Sequence, residues 1–299
     1  MNKFLVSIIT VNYNGLHDTC EMIESFSQYE TYPYEMIVVD NGSLKPEADE
    51  IERRYPKIKL VRNVNNGFAG GNNAGLRVAE GDYLFFLNND TLIREPVLET
   101  LVRRLEADPK NGGVSPMLKY NYAPDTLQYA GFTPFSGITL RNAAIGFNEK
   151  EQPQYRIAHE TASLHGAAMM VRRDVLQSVG FMTEIYFLFY EEFDWSAQMH
   201  RAGYRLWYEP AAVVYHKESM TAKRGTPLRE FYLSRARILY ARRNIPGSRK
   251  VLSCLYLSFI AAPKKSVIYL LHGKFQLAMA VIRGTFRGLI DYSHHVLYE

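Results

Sequence analysis

The sequence predicts an α/β protein with a doubly wound, mostly parallel sheet and a C-terminal helical appendage. Three observations carry that expectation. Short apolar runs alternate with helix-period segments along the first part of the chain. The run Tyr83–Leu87 is apolar throughout, as in a strand covered on both faces. Past Lys223 the character turns basic and helical: residues 223–299 hold 14 Lys/Arg against 3 Asp/Glu, or +11, leaving residues 1–222 with 21 against 28, or −7.

Taken in order, Leu5–Val11 reads as a strand and His17–Tyr29 as a helix turning Cys20, Ile23 and Phe26 inward. Glu35–Val39 is a second strand, followed by a charged helix over Pro46–Tyr55 and a strand at Ile58–Arg62. Asn65–Gly71 is a glycine- and asparagine-rich loop opening a helix near Asn72–Ala79, which Gly81 stops before the Tyr83–Leu87 strand. Pro96 starts a helix over Glu95–Asp108. Residues 120–160, rich in Tyr, Asn, Gly and Pro, read as long loops with a hairpin. Their rings at Tyr120, Tyr122, Tyr129 and Phe132 are candidates for an acceptor side or for plain packing. A strand at Ala168–Arg172, a helix from Asp174 to Val179, a helix near Glu191–Ala202 and strands at Arg205–Tyr208 and Val213–Tyr215 bring the chain to His216.

At 299 residues and 47% hydrophobic content the chain is long enough for one large domain with an appendage. Its two cysteines, Cys20 and Cys254, form neither a disulfide framework nor a metal motif, which points to a reducing, cytoplasmic location. Phe4–Val11 leads into Asn12-Tyr13-Asn14-Gly15, a strand and turn rather than a signal sequence.

Four polar clusters fall at strand ends or helix starts: Thr10-Val11-Asn12-Tyr13, Asp40-Asn41, Asn65 to Asn73, and Asn88-Asn89-Asp90. Neighbouring parallel strands bring their carboxyl ends to one edge, where ligands of open α/β sheets bind. Amides and a carboxylate there suit the edges of a base and a ribose, and Asp90 stands where a cation and its phosphates are expected. The glycines lack a Walker lysine and do not match Gly-x-Gly-x-x-Gly, so neither a P-loop nor a dinucleotide fingerprint is supported.

The order Ser7-Ile-Ile-Thr-Val-Asn-Tyr-Asn14, Val38-Val-Asp-Asn-Gly-Ser43, Asn66-Gly-Phe-Ala-Gly-Gly-Asn72 and Leu87-Asn-Asn-Asp-Thr91 resembles family 2 glycosyltransferases, in their rhamnosyltransferase-like branch. The likeness continues through Gly166-Ala-Ala-Met-Met-Val-Arg172, Phe189-Tyr-Glu-Glu-Phe-Asp194 and Tyr215-His216, and spans about residues 4–220. It implies a GT-A fold over residues 1–222, a UDP- or dTDP-linked sugar donor, a divalent cation and inversion at the anomeric carbon. A hydroxyl acceptor on a glycan or lipid-linked sugar is implied too, in bacterial cell-surface polysaccharide or glycolipid synthesis. Carried over by position, Thr10, Val11, Asn12, Asp40, Asn66, Asn72, Asn88, Asn89, Gly166 and Glu191 would bind the nucleotide sugar. Asn88 stands where the family's metal motif has its first Asp, which leaves Asp90 as the main carboxylate ligand and His216 as the second. Mg²⁺ needs few protein ligands because it keeps waters and borrows phosphate oxygens; the imidazole favours Mn²⁺.

The resemblance also implies that Glu192 is the catalytic base, although the family more often has Asp there. Helical spacing puts Glu191 and Asp194 on one face and turns Glu192 about 100° away, so the three carboxylates cannot share one job; acids in a first turn also favour the helix dipole. Three rival readings differ in kind. A nucleotidyltransferase should carry a basic triphosphate loop near its start, and Thr10–Gly15 has no Lys or Arg. A catalytically weak nucleotide-sugar-binding partner of another transferase would tolerate Asn88, but not explain the retained Asp90, Glu192 and His216. A nucleic-acid-binding module would explain the tail but not the acidic body.

In the tail, Phe275, Ala278, Met279, Ile282, Phe286 and Leu289 form one helical stripe with Arg283 and Arg287 alongside. Val251–Ala262 is apolar but spans about 18 Å as helix, short of a roughly 30 Å hydrocarbon core, and Pro263-Lys264-Lys265 should interrupt it. Residues 223–299 therefore read as helices on an anionic membrane surface, peripheral to the inner membrane's cytoplasmic face, or as a subdomain packing on the catalytic body or a second subunit.

Overall fold

The predicted alternation is realised in one ten-stranded mixed sheet between two helical layers; the computed structural model describes residues 4–218 and 225–291. The main path runs β3 (Lys59–Arg62), β2 (Tyr34–Asp40), β1 (Val6–Asn12), β4 (Tyr83–Leu87), β9 (Ala168–Arg172), β6 (Asn111–Tyr120), β10 (Arg205–His216) and β5 (Thr91–Leu92). β7 (Ala123–Tyr129) pairs with β6 and β8 (His159–Glu160) with β10. Strands β1, β2, β3, β4, β6 and β10 point the same way, so their carboxyl ends share one edge; β9 runs against β4 and β6.

Both faces of the parallel strands are buried, which is why Tyr83–Leu87 shows no polar alternation. On one face, Val6 and Ile8 pack with Phe26 of α1 (Leu16–Tyr29), Ile51 of α2 (Glu47–Arg54) and Leu101 of α4 (Leu98–Glu106). On the other, Ile9 and Val39 meet Ala74 of α3 (Gly67–Leu76), Val175 of α5 (Val175–Val179) and Trp195 of α6 (Glu191–Arg201).

Four expectations are corrected. Helix α3 begins at Gly67, inside the segment read as a loop. Its glycines let the helix lie close on the sheet: a Cβ at Gly75 would stand 2.6 Å from Ile9 Cγ2, and that packing outweighs poor helix propensity. The strand β6 went unseen because Gly112, Gly113 and Pro116 break its pattern, and a full set of sheet neighbours overrides them. The two short strands before His216 are one strand, β10, with an irregularity between Glu209 and Val213. Finally, Pro263 does not interrupt the tail: α8 (Gly247–Tyr256), a π turn (Leu257–Ala261) and α9 (Ala262–Leu271) form one helix, Gly247–Leu271. The wider turn accommodates the bond a proline cannot donate.

The expected domain boundary at 222/223 lies outside the described residues. Beyond it α7 (Pro227–Asn244) starts with Thr226 accepting from the Arg229 N–H and Pro227 in the first turn. Arg243 of α7 is clamped on Asp194 of α6, with Nε 3.0 Å from Oδ1, both side chains buried. The final helix, α10 (Phe275–Ile290), packs on α7 through small residues; a Cβ at Gly284 would stand 2.2 Å from the Phe231 carbonyl oxygen. The expected stripe accordingly faces outward, with Phe275, Met279, Ile282, Phe286 and Leu289 exposed and only Ala278 buried.

Candidate active site

A cleft of about 540 Å³ opens at the shared carboxyl edge of the sheet. Val11 of β1, Asn88-Asn89-Asp90 after β4, and His216 at the end of β10 line it together, although 126 residues separate Asp90 from His216. Asp90 is held by its neighbours' backbone: its carbonyl accepts from the Lys217 N–H at 2.9 Å, and Thr91 pairs with His216 across β5 and β10. The Asn89 amide donates to Thr19 Oγ1 at 3.0 Å, tying the same turn to α1.

Asp90 and His216 are both buried, with His216 Nε2 3.0 Å from Asp90 Oδ1. On its far side the imidazole meets Gln128, Nδ1 to Oε1 at 2.8 Å, and the Gln128 amide donates to Glu218 Oε1 at 3.1 Å. With the Gln128 carbonyl turned to the ring, a neutral imidazole keeps its proton on Nδ1 and faces Asp90 with the Nε2 lone pair. Two acceptors then face each other, an arrangement that a shared cation satisfies. Ligand atoms 3.0 Å apart are also the spacing of adjacent positions around an octahedral ion with bonds of about 2.1 Å. Among the described residues no group of three His, Cys, Asp or Glu could hold a metal ion, so the other positions of a cation on Asp90 and His216 would fall to water and phosphate oxygens.

The remaining candidates divide by position. Thr10 is fully buried in β1, with Oγ1 lacking a partner. Asn12 is buried in a structural knot: its amide donates to Asp40 Oδ1 and Glu47 Oε2, both at 2.9 Å, and its carbonyl accepts from Thr19 Oγ1 at 2.8 Å. Asp40 also accepts from Ser43 Oγ at 2.5 Å, which leaves Oδ2 as its freer oxygen. Asn66 accepts from Asn63 at 2.9 Å, and Asn72 donates to the Phe68 carbonyl of its own helix at 3.0 Å. None of these five lines the cleft; Asn41 and Asn65 beside them do.

Gly166 and Glu192 lie next to the Asn88–Asp90 turn rather than in it. The Asn88 N–H donates to the Ala167 carbonyl at 2.9 Å, and a Cβ at Gly166 would stand 3.6 Å from Glu192 Cδ. Glu192 is half-buried, Glu191 and Asp194 fully so, as the helical spacing required. Burial pushes both glutamates above the usual carboxylate range, Glu191 further under the charge of Glu192. Glu191 Oε2 has no hydrogen-bond partner. Asp194 is held low against the cost of burial, chiefly by Arg243. Of the aromatic candidates, Tyr120 and Tyr129 are core, whereas Phe132 stacks on His165 at 5.7 Å and meets Phe193, the residue after Glu192, edge-on at 5.1 Å.

The wall opposite the sheet was missed. Phe187, Leu188 and Phe189 line it with Leu228, Arg229 and Tyr232 from the first turns of α7. Phe187 (φ 66°), Phe189 (φ 69°) and Tyr190 (φ 74°) are left-handed non-glycine residues, a strained segment bordering the site. It is pinned by the Phe68 N–H donating to the Phe187 carbonyl at 2.9 Å and by Phe187 stacking on Tyr232 at 4.9 Å. Gly67 (φ +88°) admits this approach, since a Cβ there would lie 2.1 Å from that carbonyl oxygen. Arg229 lies over Phe189, 5.1 Å from the ring centre, and has no ion pair among the described residues.

Comparison with known proteins agrees with this geometry. The chain is 25% identical to rhamnosyltransferase WbbL of Escherichia coli (strain K12) over 224 residues, 71% of this chain and 83% of that protein. It is 27% identical over 200 residues to the pre-mycofactocin glycosyltransferase of Mycobacterium tuberculosis (strain ATCC 25618 / H37Rv), 66% of this chain and 40% of that one. The matched stretch covers 36–40% of the length of four curated relatives. Among solved structures, the mannosyltransferase PcManGT of Pyrobaculum calidifontis, in complex with GDP-Man and Mn²⁺, superposes with a TM-score of 0.59 at 17% identity, covering 97% of this chain and 88% of that one. The fold is thus GT-A-type. Residues 7–180, more than half of the sequence, match the family model for glycosyl transferase family 2, and the chain belongs to that family.

Proposed function

We propose that the protein is an inverting glycosyltransferase that moves a sugar from a nucleoside-diphosphate-sugar to a hydroxyl acceptor. The observation that carries the reading is the buried Asp90–His216 pair facing the cleft at 3.0 Å. Asp90 and His216 would hold a divalent cation, Mg²⁺ or Mn²⁺, which when bound would supply positive charge toward the diphosphate. Arg229 adds a guanidinium to the same cleft, where a phosphate fits its fork. Glu192 takes the proton of the acceptor hydroxyl; that oxygen bonds to the anomeric carbon while the bond to the diphosphate breaks on the opposite face. Its raised proton affinity suits a base that must hold the proton it removes.

The acceptor is a lipid-linked glycan or sugar, as cell-surface polysaccharide synthesis requires, and the C-terminal helices dock on an anionic membrane surface. Of the 24 exposed large hydrophobic side chains among the described residues, 15 lie within 251–290. Residues 247–290 carry seven Lys/Arg and no Asp or Glu. The helix Gly247–Leu271 is long and apolar enough to cross a membrane, but Lys264 and Lys265 sit within it, and Tyr269 on α9 donates to Glu230 of α7 at 2.9 Å. A helix bound to protein on one side and apolar on the other fits an interface better than a span.

Turnover of a panel of UDP-, dTDP- and GDP-sugars with Mn²⁺ or Mg²⁺, with the anomer of the product read by NMR, tests the reading. The expected result is cation-dependent consumption of one donor with inversion. Retention at the anomeric carbon, or no donor consumed with any cation, would overturn it.

A further inference from the structure

A second cavity, of about 340 Å³, lies across the strained segment from the donor cleft: Phe187–Phe189 line the cleft and Tyr190 lines this cavity. Glu191-Glu192 follow directly, so the proposed base stands where the partition ends. The cavity walls are apolar, with Ile238 of α7, Leu257 of the π turn and Val281 of α10. Its neutral polar groups are Asn142, Tyr190, Ser234 and Thr285, and every charged one is a cation. Arg141, Arg237 and Lys265 line it, and no Asp or Glu does. Lys265 is paired with Glu230, and Arg237 donates to the Thr139 carbonyl at 3.0 Å; neither arginine has an ion pair among the described residues. Asn142, also in the wall, has a buried amide nitrogen without a hydrogen-bond partner.

Two guanidinium groups without an ion pair, Arg141 exposed and Arg237 half-buried, together with an orphaned buried donor suit an anion with several acceptor oxygens. The apolar walls call for a chain attached to it, because a free anion would leave them facing water. The helices that form those walls expose apolar side chains on their outer surface, so a molecule could keep its tail in lipid while its head enters between α7, the π turn and α10.

We propose that this cavity binds the phosphate-bearing end of a lipid-linked acceptor and so presents the acceptor hydroxyl at Glu192. The inference rests on the transferase reading above and names the chemistry of its acceptor: an alkyl or prenyl phosphoester.

The test is titration of the full chain by calorimetry with decyl phosphate below its micelle concentration, against inorganic phosphate and decanol. One decyl phosphate should bind per chain, at least about tenfold more tightly than either comparator, since both a charge-assisted contact and an apolar one are lost in turn. The double variant Arg141→Gln/Arg237→Gln should weaken binding at least about tenfold. Ala262→Trp, which fills the cavity from its wall without touching a charge, should abolish it, and decides the matter should the double variant not fold. Equal affinity for inorganic phosphate or decanol, no saturable binding, or unchanged binding in Ala262→Trp would each overturn the proposal. Donor consumption by the parent chain is measured separately. A parent that consumes donor yet ignores decyl phosphate overturns the pocket and leaves the transferase reading standing.

Discussion

At the scale of single residues, two adjacent glutamates with different surroundings should behave differently. Glu192→Gln removes the base while leaving its shape, so transfer should fall by roughly 10²–10⁴-fold with donor affinity unchanged; unchanged turnover would remove Glu192 from the mechanism. A base must be deprotonated to act. Because burial raises Glu192, the acid limb of the rate profile should lie above the usual carboxylate range, with activity rising as pH rises through it. Glu191 makes a separate prediction. Its folded affinity for a proton exceeds its unfolded one, so the stability it lends is present at low pH and lost as pH rises through the raised value. Glu191→Gln should therefore melt higher than the parent at about pH 9 and no differently at about pH 4; a gap that persists in acid would contradict this. The sequence singled out Asp90 and Glu192 through their ordered neighbours. It did not single out Gln128 or Arg229, because β7 reaches His216 only across β6 and Arg229 sits on a helix that resembled an appendage.

At the scale of elements, most strands and most helices were legible because one periodicity decides each of them. Tyr83–Leu87 begins and ends where its apolar run does, and Ala168–Arg172 is offset by one residue from the run Ala167–Val171. What escaped depends on contacts distant in sequence: α3 owes its early start to the sheet beneath it, and β6 its existence to β9 and β10. The union of α7 with the catalytic body is another such contact. Asp194 accepts from Tyr186, Arg243, Asn244 and Gln198 in a fully buried site. Arg243→Met would leave that carboxylate without its cation and should cost about 3–5 kcal/mol, read as a lower urea midpoint. It should also weaken donor binding, because α7 carries Arg229 and Tyr232 into the cleft. A variant with the parent's midpoint would show that the clamp contributes nothing.

At the scale of the whole molecule, an acidic GT-A-type body is joined to a cationic, outwardly apolar face. A charge-dependent component of docking follows from seven cations without an acid over residues 247–290; the apolar component follows from Phe259, Phe275 and Phe286, each more than half exposed. The full chain should sediment with vesicles containing anionic lipid, less so with neutral ones, and release as salt screens the charges. Phe259→Glu/Phe275→Glu/Phe286→Glu should lower that association at least about tenfold. Equal binding to neutral and anionic vesicles, or a protein that instead dimerises through this face, would refute the membrane assignment. The carboxyl edge of the sheet remains the point on which transfer depends, and it is tested most directly by donor affinity with and without Mn²⁺ in the parent and in Asp90→Asn. The account predicts that the parent loses at least about tenfold in affinity when the cation is withdrawn and that the variant binds weakly either way. A parent indifferent to the cation, or a variant that keeps the parent's dependence on it, would contradict the account.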